Sequence, residues 1–285
     1  KDGETQVLRH PEIKSHPLRE TNSFNTRTTW ESLLYVMHTL NKKDSDFLGT
    51  RKCISKNVYD SKYSWKTYQQ VHDEALLFSK GLEELELCPQ VTSNNNEVFK
   101  FLGIYSRNNE QWVISELGCH ANSVTVVTIY DTLGDNAMEY IFNQTQMTSL
   151  LLETKGLNKI LLLARNSRLA KLKNLIIIDY QEESNEIKEL QQLGLYVFTY
   201  QQILSKGKDS VIQLTPAQPD TICIVCYTSG ATGAPKGAMI PHKALLAEVE
   251  ILTASGFNLQ PHDMYLSFLP LAHIMEQLIM NVALS

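Results

Sequence analysis

The chain has 285 residues, of which 43% are hydrophobic and 20% charged, so it can fold around a large core and is not intrinsically disordered. Its formal net charge is −5 and no long run of lysine or arginine occurs, which argues against nucleic acid as the main partner. The apolar runs are far shorter than the roughly 18 to 20 residues that cross a bilayer, so no transmembrane helix is predicted.

The N-terminal part of the chain is polar. We expect residues 1–46 to form an extended surface segment, interrupted by a short helix over 29–40, and residues 41–64 to be loop and short strand. The tetrapeptide Thr-Tyr-Gln-Gln at 67–70 is a capping box, in which the threonine and the second glutamine bond to each other's backbone. Apolar residues follow it at helical spacing, which predicts an amphipathic helix over 68–82.

From residue 98 onward, predicted strands alternate with predicted helices. The predicted strands are 98–105, 124–129, 149–152, 175–178, 196–198, 221–226 and 264–269, and the predicted helices are 110–121, 135–143, 184–193, 243–254 and 273–285. Residues 157–166 fit either element. This alternation predicts an α/β fold with a mainly parallel sheet. Because the chain starts with Lys1 and its last helix has no glycine or proline stop, we expect a fragment of a longer protein.

The segment 226–242, which follows a predicted buried strand, is the most informative part of the sequence. It carries Thr-Ser-Gly at 228–230, Thr-Gly at 232–233 and Pro-Lys-Gly at 235–237. Glycines let backbone N–H groups approach a polyphosphate, hydroxyls add donors, and a lysine supplies a positive charge. The ordered combination predicts a phosphate-binding loop rather than an ordinary surface turn. Its spacing is not that of a Walker A loop, which needs Gly-Lys at the fifth position after the first glycine.

Residues 227–237 resemble the phosphate-binding signature of the adenylate-forming (AMP-binding) superfamily of acyl-CoA synthetases, adenylation domains and luciferases. Four further motifs resemble eukaryotic long-chain fatty acid:CoA ligases, namely Leu48–Arg51, Gly103–Asn108, Ile129–Gly134 and Phe268–His273. The sequence departs from the family pattern at Ala231, where a hydroxyl is usual. It departs again at Glu110-Gln111, where the family has Pro-Glu, and at Gln277, where arginine is common.

The resemblance implies an architecture. The chain would be the N-terminal part of the large domain of an adenylate-forming enzyme, layered α/β with mainly parallel sheets. Residues 47–285 would form a partial AMP-binding domain after the N-terminal segment 1–46. The small C-terminal domain of the family would be absent.

The resemblance also implies a reaction, the ATP-dependent activation of a long-chain fatty acid to an acyl-adenylate and then to acyl-CoA. ATP, Mg²⁺ and CoA would take part, and the fragment alone would be inactive. The residues expected to line the ATP phosphates are Thr228, Ser229, Gly230, Thr232, Gly233, Lys236 and Gly237. We expect Lys236 to assist rather than to be the essential catalytic residue, and none of the residues in the chain to ligate a metal.

His273 is expected to border the acyl carboxylate, with a simple bond to the start of a helix as the alternative. Two alternative functions also stay open: an adenylating ligase for another carboxylic acid, and a non-catalytic nucleotide-binding remnant. By family analogy the protein would be intracellular, in the cytoplasm or peripherally on the cytoplasmic face of a membrane such as the endoplasmic reticulum.

The five cysteines point to a reducing compartment, because their number is odd and their spacing irregular. Cys223 and Cys226 match a CxxC pattern, but they lie in a predicted strand. We therefore expect them to be buried packing residues rather than metal ligands or a disulfide.

Overall fold

The computed structural model describes residues 24–55, 58–130, 134–228, 234–257, 259–260 and 262–284. Within these ranges it contains ten strands and nine α-helices. The strands are β1 (Asp46–Ser55), β2 (Val58–Thr67), β3 (Gln90–Thr92), β4 (Val98–Tyr105), β5 (Thr125–Thr128), β6 (Ser149–Leu152), β7 (Asn174–Ile177), β8 (Tyr196–Thr199), β9 (Ile222–Thr228) and β10 (Lys236–Pro241). The helices are α1 (Thr29–His38), α2 (Tyr68–Glu84), α3 (Glu110–His120), α4 (Asp135–Thr145), α5 (Leu157–Arg165), α6 (Asn185–Gln192), α7 (Tyr200–Asp209), α8 (His242–Ala254) and α9 (Ile274–Leu284).

The main sheet is built largely from parallel strands. Its order is β10-β9-β5-β4-β6-β7-β8, and β3 pairs with the beginning of β4. The neighbours from β9 to β8 are parallel, while β10 and β3 are antiparallel to their partners. The carboxyl ends of the parallel strands therefore lie along one edge of the sheet, which is where α/β folds place their ligands.

Helices cover both faces of this sheet. Alternate side chains of β4 enter two different cores: Leu102 and Ile104 pack with α1, α2, α3, α7, α8 and α9. Phe101 and Tyr105 pack on the other face with α4, α5 and α6. Strands buried on both faces carry no polar alternation, as β5 and β6 illustrate. The predicted layered α/β fold with a mainly parallel sheet is thus confirmed.

Local signals predicted several elements well. β4 spans 98–105 as predicted, and the segment that fitted helix or strand is helix α5. The capping box at the start of α2 is present, with Thr67 Oγ1 accepting from Gln70 N at 3.2 Å and Gln70 Oε1 accepting from Thr67 N at 2.8 Å. The identical tetrapeptide Thr-Tyr-Gln-Gln at 199–202 builds the same box on α7. Sequence reasoning overlooked this second box, and with it α7.

Three predictions were wrong where the structure depends on pairing partners. Residues 41–64 are not loop and short strand, because β1 and β2 form a long antiparallel hairpin. Residues 236–241, read as part of a loop, are the edge strand β10. Residues 264–269 are not a strand within the described ranges. Their Met264, Leu266 and Phe268 are 66%, 67% and 71% exposed.

The remaining expectations concern the N-terminus, the cysteines and the membrane. Residues 1–23 lie outside the described ranges, whereas α1 packs Leu33 and Met37 into the core. All five cysteines are free, and Cys223 and Cys226 are buried in β9 as expected. In the part of the chain that the structure describes, no helix is both long and apolar enough to traverse a bilayer.

Candidate functional site

The candidate phosphate-binding loop is the tip of the hairpin formed by β9 and β10. Thr228, the last residue of β9, pairs with Lys236, the first residue of β10, and Tyr227 pairs with Gly237. Thr228 Oγ1 also donates to Lys236 O at 3.4 Å. Because β9 runs parallel to β5, Thr228 and its partner Lys236 lie at the carboxyl edge of the sheet. Both ends of the predicted loop are thus held against each other at the edge where ligands bind.

The side chains at the two ends of the loop face solvent. Thr228 and Lys236 are exposed, and Lys236 forms no salt bridge with any residue in the described ranges. Its side chain is exposed at one end of the loop. Of the other predicted phosphate ligands, Ser229, Gly230, Thr232 and Gly233 lie outside the described residues, as does Ala231. Their roles stay predictions.

Gly237 has a packing reason to be glycine. A Cβ atom built on it would lie 3.0 Å from Tyr227 Cζ and 3.0 Å from Val225 Cγ1. Tyr227 is itself buried, and its hydroxyl donates to Gln144 Oε1 at 2.6 Å. The absence of a side chain at Gly237 therefore lets β10 pack closely against the Tyr227 ring. Contact between Gly237 and phosphate stays a prediction.

His273 lies just before α9, in a segment fixed to the same edge of the sheet. Thr128 Oγ1, at the end of β5, donates to Ala272 O at 3.1 Å. The Nδ1 atom of His273 accepts from Met275 N at 3.1 Å, so the alternative of a helix-start histidine bonded to the backbone describes this nitrogen correctly. The side chain is exposed, and an accepting Nδ1 places the proton of the neutral ring on Nε2. His273 can therefore bond to its own helix and also offer a donor to a ligand.

Asn108, in the loop after β4, holds the segment that leads to His273. Its Nδ2 donates to Leu269 O at 2.6 Å and to Ser267 Oγ at 2.9 Å and Ser267 O at 3.2 Å. Its Oδ1 accepts from Leu271 N at 2.8 Å. One amide side chain thus replaces the strand partner that residues 264–269 lack. Ser267, Leu269 and Leu271 lie 159, 161 and 163 residues from Asn108 in the sequence. Asn108 thus joins the motifs Gly103–Asn108 and Phe268–His273.

A buried carboxyl group lies behind the same segment. Glu116 of α3 accepts from Trp112 Nε1 at 3.0 Å and from Gln277 Nε2 at 3.0 Å, and Gln277 Nε2 also donates to Leu271 O at 2.8 Å. Burial raises the pKa of the Glu116 carboxyl to about 7, although these two hydrogen bonds act in the opposite direction. Gln277, where the sequence departs from the family pattern, thus gives Glu116 a neutral amide partner.

An ion pair lies where the strand order reverses, between β4 and β6. Glu153, directly after β6, accepts from Arg107 N at 2.8 Å and from Arg107 Nη2 at 3.0 Å, with Lys155 Nζ at 3.5 Å. Burial raises the pKa of Glu153, but the bonds from Arg107 and the charge of Lys155 outweigh it, so the pKa lies below its usual value. Neither Arg107–Glu153 nor Asn108 was assigned a role from sequence, although both follow strand ends, where such residues collect.

A cavity of about 650 Å³ lies between the β1–β2 hairpin, α2 and α3. Lys66 in its wall contacts Glu110 Oε1 at 3.1 Å, and Thr50 Oγ1 donates to Glu110 Oε2 at 2.8 Å. The polar groups of this cavity already bond to one another. The motif Leu48–Arg51 thus contributes, through Thr50, to contacts between the hairpin and α3.

Metal ions in proteins are usually held by clusters of histidine, cysteine, aspartate or glutamate side chains. The described ranges contain no group of three or more histidine, cysteine, aspartate or glutamate side chains suited to hold a metal ion. Glu276, three residues after His273, is buried and accepts from Tyr265 Oη at 2.7 Å. No Mg²⁺ site is therefore assigned within the described residues.

Comparisons with known proteins place this geometry in context. A family model described as AMP-binding enzyme matches residues 49–285. Long-chain-fatty-acid–CoA ligase 6 of Homo sapiens is 32% identical over 253 residues, which is 87% of this chain and 35% of the human protein. Fatty acyl-CoA synthetase A of Dictyostelium discoideum is 30% identical over 283 residues, which is 98% of this chain and 39% of that protein. The chain thus spans about a third of the length of the curated relatives it matches.

Solved structures share the fold. The A-PCP didomain of carboxylic acid reductase from Segniliparus rugosus, in complex with AMP, superposes with a TM-score of 0.72 at 17% identity. The match covers 92% of this chain and 38% of that one. At this level of identity the comparison shows a common architecture.

Proposed function

Because the chain belongs to the AMP-binding enzyme family, we propose that it forms part of an ATP-dependent long-chain fatty acid:CoA ligase. The observation that carries the proposal is the Thr-Ser-Gly, Thr-Gly, Pro-Lys-Gly segment, whose two ends are held at the carboxyl edge of a parallel sheet with Lys236 exposed. The long-chain assignment rests on the names of relatives 29–32% identical to the chain.

The proposed reaction has two steps. A carboxylate oxygen of the fatty acid attacks the α-phosphorus of ATP, an O–P bond forms, and the bond to pyrophosphate breaks. The thiolate of CoA then attacks the carbonyl carbon of the acyl-adenylate and AMP leaves. The first step brings two anions together, so the protein must contribute cations and N–H donors aimed at the phosphates.

The chain's own residues would share this work at one edge of the sheet. Lys236 and the hydroxyl of Thr228 would hold the departing pyrophosphate, together with Ser229, Gly230, Thr232, Gly233 and Gly237. The Nε2–H of His273 would donate to the acid carboxylate and orient it. The five free cysteines and the family analogy support an intracellular protein. Peripheral membrane association is a further proposal, which cell fractionation would test.

The experiment is nucleotide binding measured by calorimetry, with ATP and with pyrophosphate as separate probes. Lys236→Ala should weaken both by roughly tenfold, the cost of losing one charged phosphate contact. Lys173→Ala is the matched control, since this exposed lysine precedes β7 at the opposite edge of the sheet. Equal affinities in the wild type and Lys236→Ala would refute the loop assignment.

The acid is tested separately, in the protein expressed from the whole reading frame that encodes this chain. Acid-dependent exchange of pyrophosphate into ATP should be supported by palmitate and not by acids shorter than ten carbons. A preference for an aryl or short acid would establish an adenylating ligase of another substrate class. ATP binding without exchange for any acid would favour the nucleotide-binding remnant.

A further inference from the structure

We propose that Asn108 is a positioning residue for the carboxylic acid substrate, acting through His273. This inference rests on the proposed function, because it assumes that His273 faces the acid. It adds a residue that does not touch the substrate but fixes the one that does.

Asn108 forms several hydrogen bonds to the segment that leads to His273. Its amide bonds to Ser267, Leu269 and Leu271, which are alternate residues of one segment. Ser267 and Phe268 are exposed and Leu269 is half-buried, whereas Leu271 and Ala272 are buried in the core. The hydrogen bonds to Asn108, together with the burial of Leu271, set the path of the backbone that enters His273.

The next residues carry this restraint forward. Leu271 is buried, its carbonyl accepts from Gln277 Nε2 at 2.8 Å, and Ala272 O accepts from Thr128 Oγ1 at 3.1 Å. His273 follows at once and bonds to Met275 N through Nδ1. If Asn108 were lost, Leu271 N–H and Leu269 C=O would lose their partner at the point where the segment turns towards the helix. The Nε2–H of His273 would then no longer be aimed in one direction.

The neighbouring Asn109 provides a matched control. It has the same amide group, and its Oδ1 accepts from Trp112 N at 2.9 Å to cap α3. Its Nδ2 donates to Ser106 Oγ and to Arg107 O, within its own loop. Asn109→Ala thus removes a comparable set of hydrogen bonds one residue away without touching the segment 267–271.

The first measurement is amide hydrogen exchange, which does not depend on any activity. Asn108→Ala should raise the exchange rate of the Leu271 amide at least tenfold, whereas Asn109→Ala should leave it within twofold. If the Leu271 amide exchanged equally slowly in the wild type and Asn108→Ala, the hydrogen bond would not hold the segment and the inference would be overturned.

The second measurement is steady-state kinetics of acid-dependent pyrophosphate exchange in the protein from the whole reading frame. Asn108→Ala should raise KM for the acid roughly tenfold and leave KM for ATP within twofold. In a His273→Ala background the same change should have no further effect on KM for the acid, because the two residues act in series. Equal increases in both KM values, or additive effects of the two substitutions, would overturn the inference.

The two proposals fail in distinguishable ways. If none of the acids supported pyrophosphate exchange by the wild-type protein, the proposed function would be refuted. The hydrogen-exchange rate of the Leu271 amide would still decide whether Asn108 holds the segment. If the wild type were active and Asn108→Ala matched Asn109→Ala in every readout, only the role of Asn108 would be wrong.

Discussion

Replacing Glu116 by glutamine should stabilise the protein at neutral and alkaline pH while leaving it unchanged in acid. The Glu116 carboxyl is 1% exposed, and its pKa is raised from 4.5 to about 7 by burial. A raised pKa means that the folded protein binds this proton more tightly than the unfolded chain does. The stabilising contribution is therefore complete below pH 4.5 and is lost as the pH rises through 7.

The size of the effect follows from the shift. At about 1.4 kcal/mol per pKa unit, the change from 4.5 to about 7 corresponds to about 3 kcal/mol. Glutamine preserves the bonds, because its Oε1 can accept from both Trp112 Nε1 and Gln277 Nε2. Gln277 Oε1 is buried without a hydrogen-bond partner in the described ranges, and an amide at position 116 would add a donor beside the Gln277 amide. Glu116→Gln should thus exceed the wild type by about 3 kcal/mol at pH 8.

Urea denaturation from pH 4 to pH 8 measures this difference. The free energy of unfolding of Glu116→Gln minus that of the wild type should grow steadily between pH 4.5 and 7. Taking the difference cancels the other titrating groups, among them the buried histidines. Glu97→Gln, at an exposed turn, removes the same charge from the surface and should give a difference within 0.5 kcal/mol or so at every pH. A difference for Glu116→Gln that did not vary with pH would refute the argument.

Two further predictions concern stability. His120 is buried, with Nδ1 2.7 Å from Thr29 Oγ1 and Nε2 3.3 Å from Cys223 O, and burial lowers its pKa to about 4. Its contribution is present above pH 6.5 and lost as the pH falls towards 4, so the stability deficit of His120→Gln should shrink by about 3 kcal/mol between pH 7 and 4; a constant deficit in urea titrations would contradict this. Thr67→Ala and Thr199→Ala should each cost about 1 kcal/mol through loss of an N-cap, and a loss at only one site would show that the shared tetrapeptide does not act alike in both helices.

The sequence predicted those features whose causes are local. The capping box at Thr67, the strand β4 and the buried alternation of strands and helices depend on neighbouring residues or on periodicity, and they are present in the structure. The edge strand β10 was missed because the glycine-rich sequence before it is typical of a loop. Its pairing with β9 cannot be recognised from that sequence. The link between Asn108 and residues 267–271 was invisible for a different reason, since it joins segments far apart in the chain.

For the candidate site, sequence supplied the loop motif and His273 but not the groups that hold them. Tyr227, Gly237 and Gln144 fix the hairpin through a ring contact and one hydrogen bond, which no spacing rule encodes. The departure at Gln277 was recognised, whereas its partner Glu116 could be identified only from the packing of α3 against α9.

The pairing of Thr228 with Lys236 also bears on the entropy of ligand binding. Bringing the ends of a chain segment together costs entropy that grows with the length of the segment. In this hairpin the ladder between β9 and β10 meets that cost during folding. An incoming polyphosphate would therefore meet two ends already fixed at one separation, and its affinity would not be reduced by the work of closing the segment. The edge strand β10 in this way contributes to recognition by fixing one end of the loop as well as by supplying Lys236.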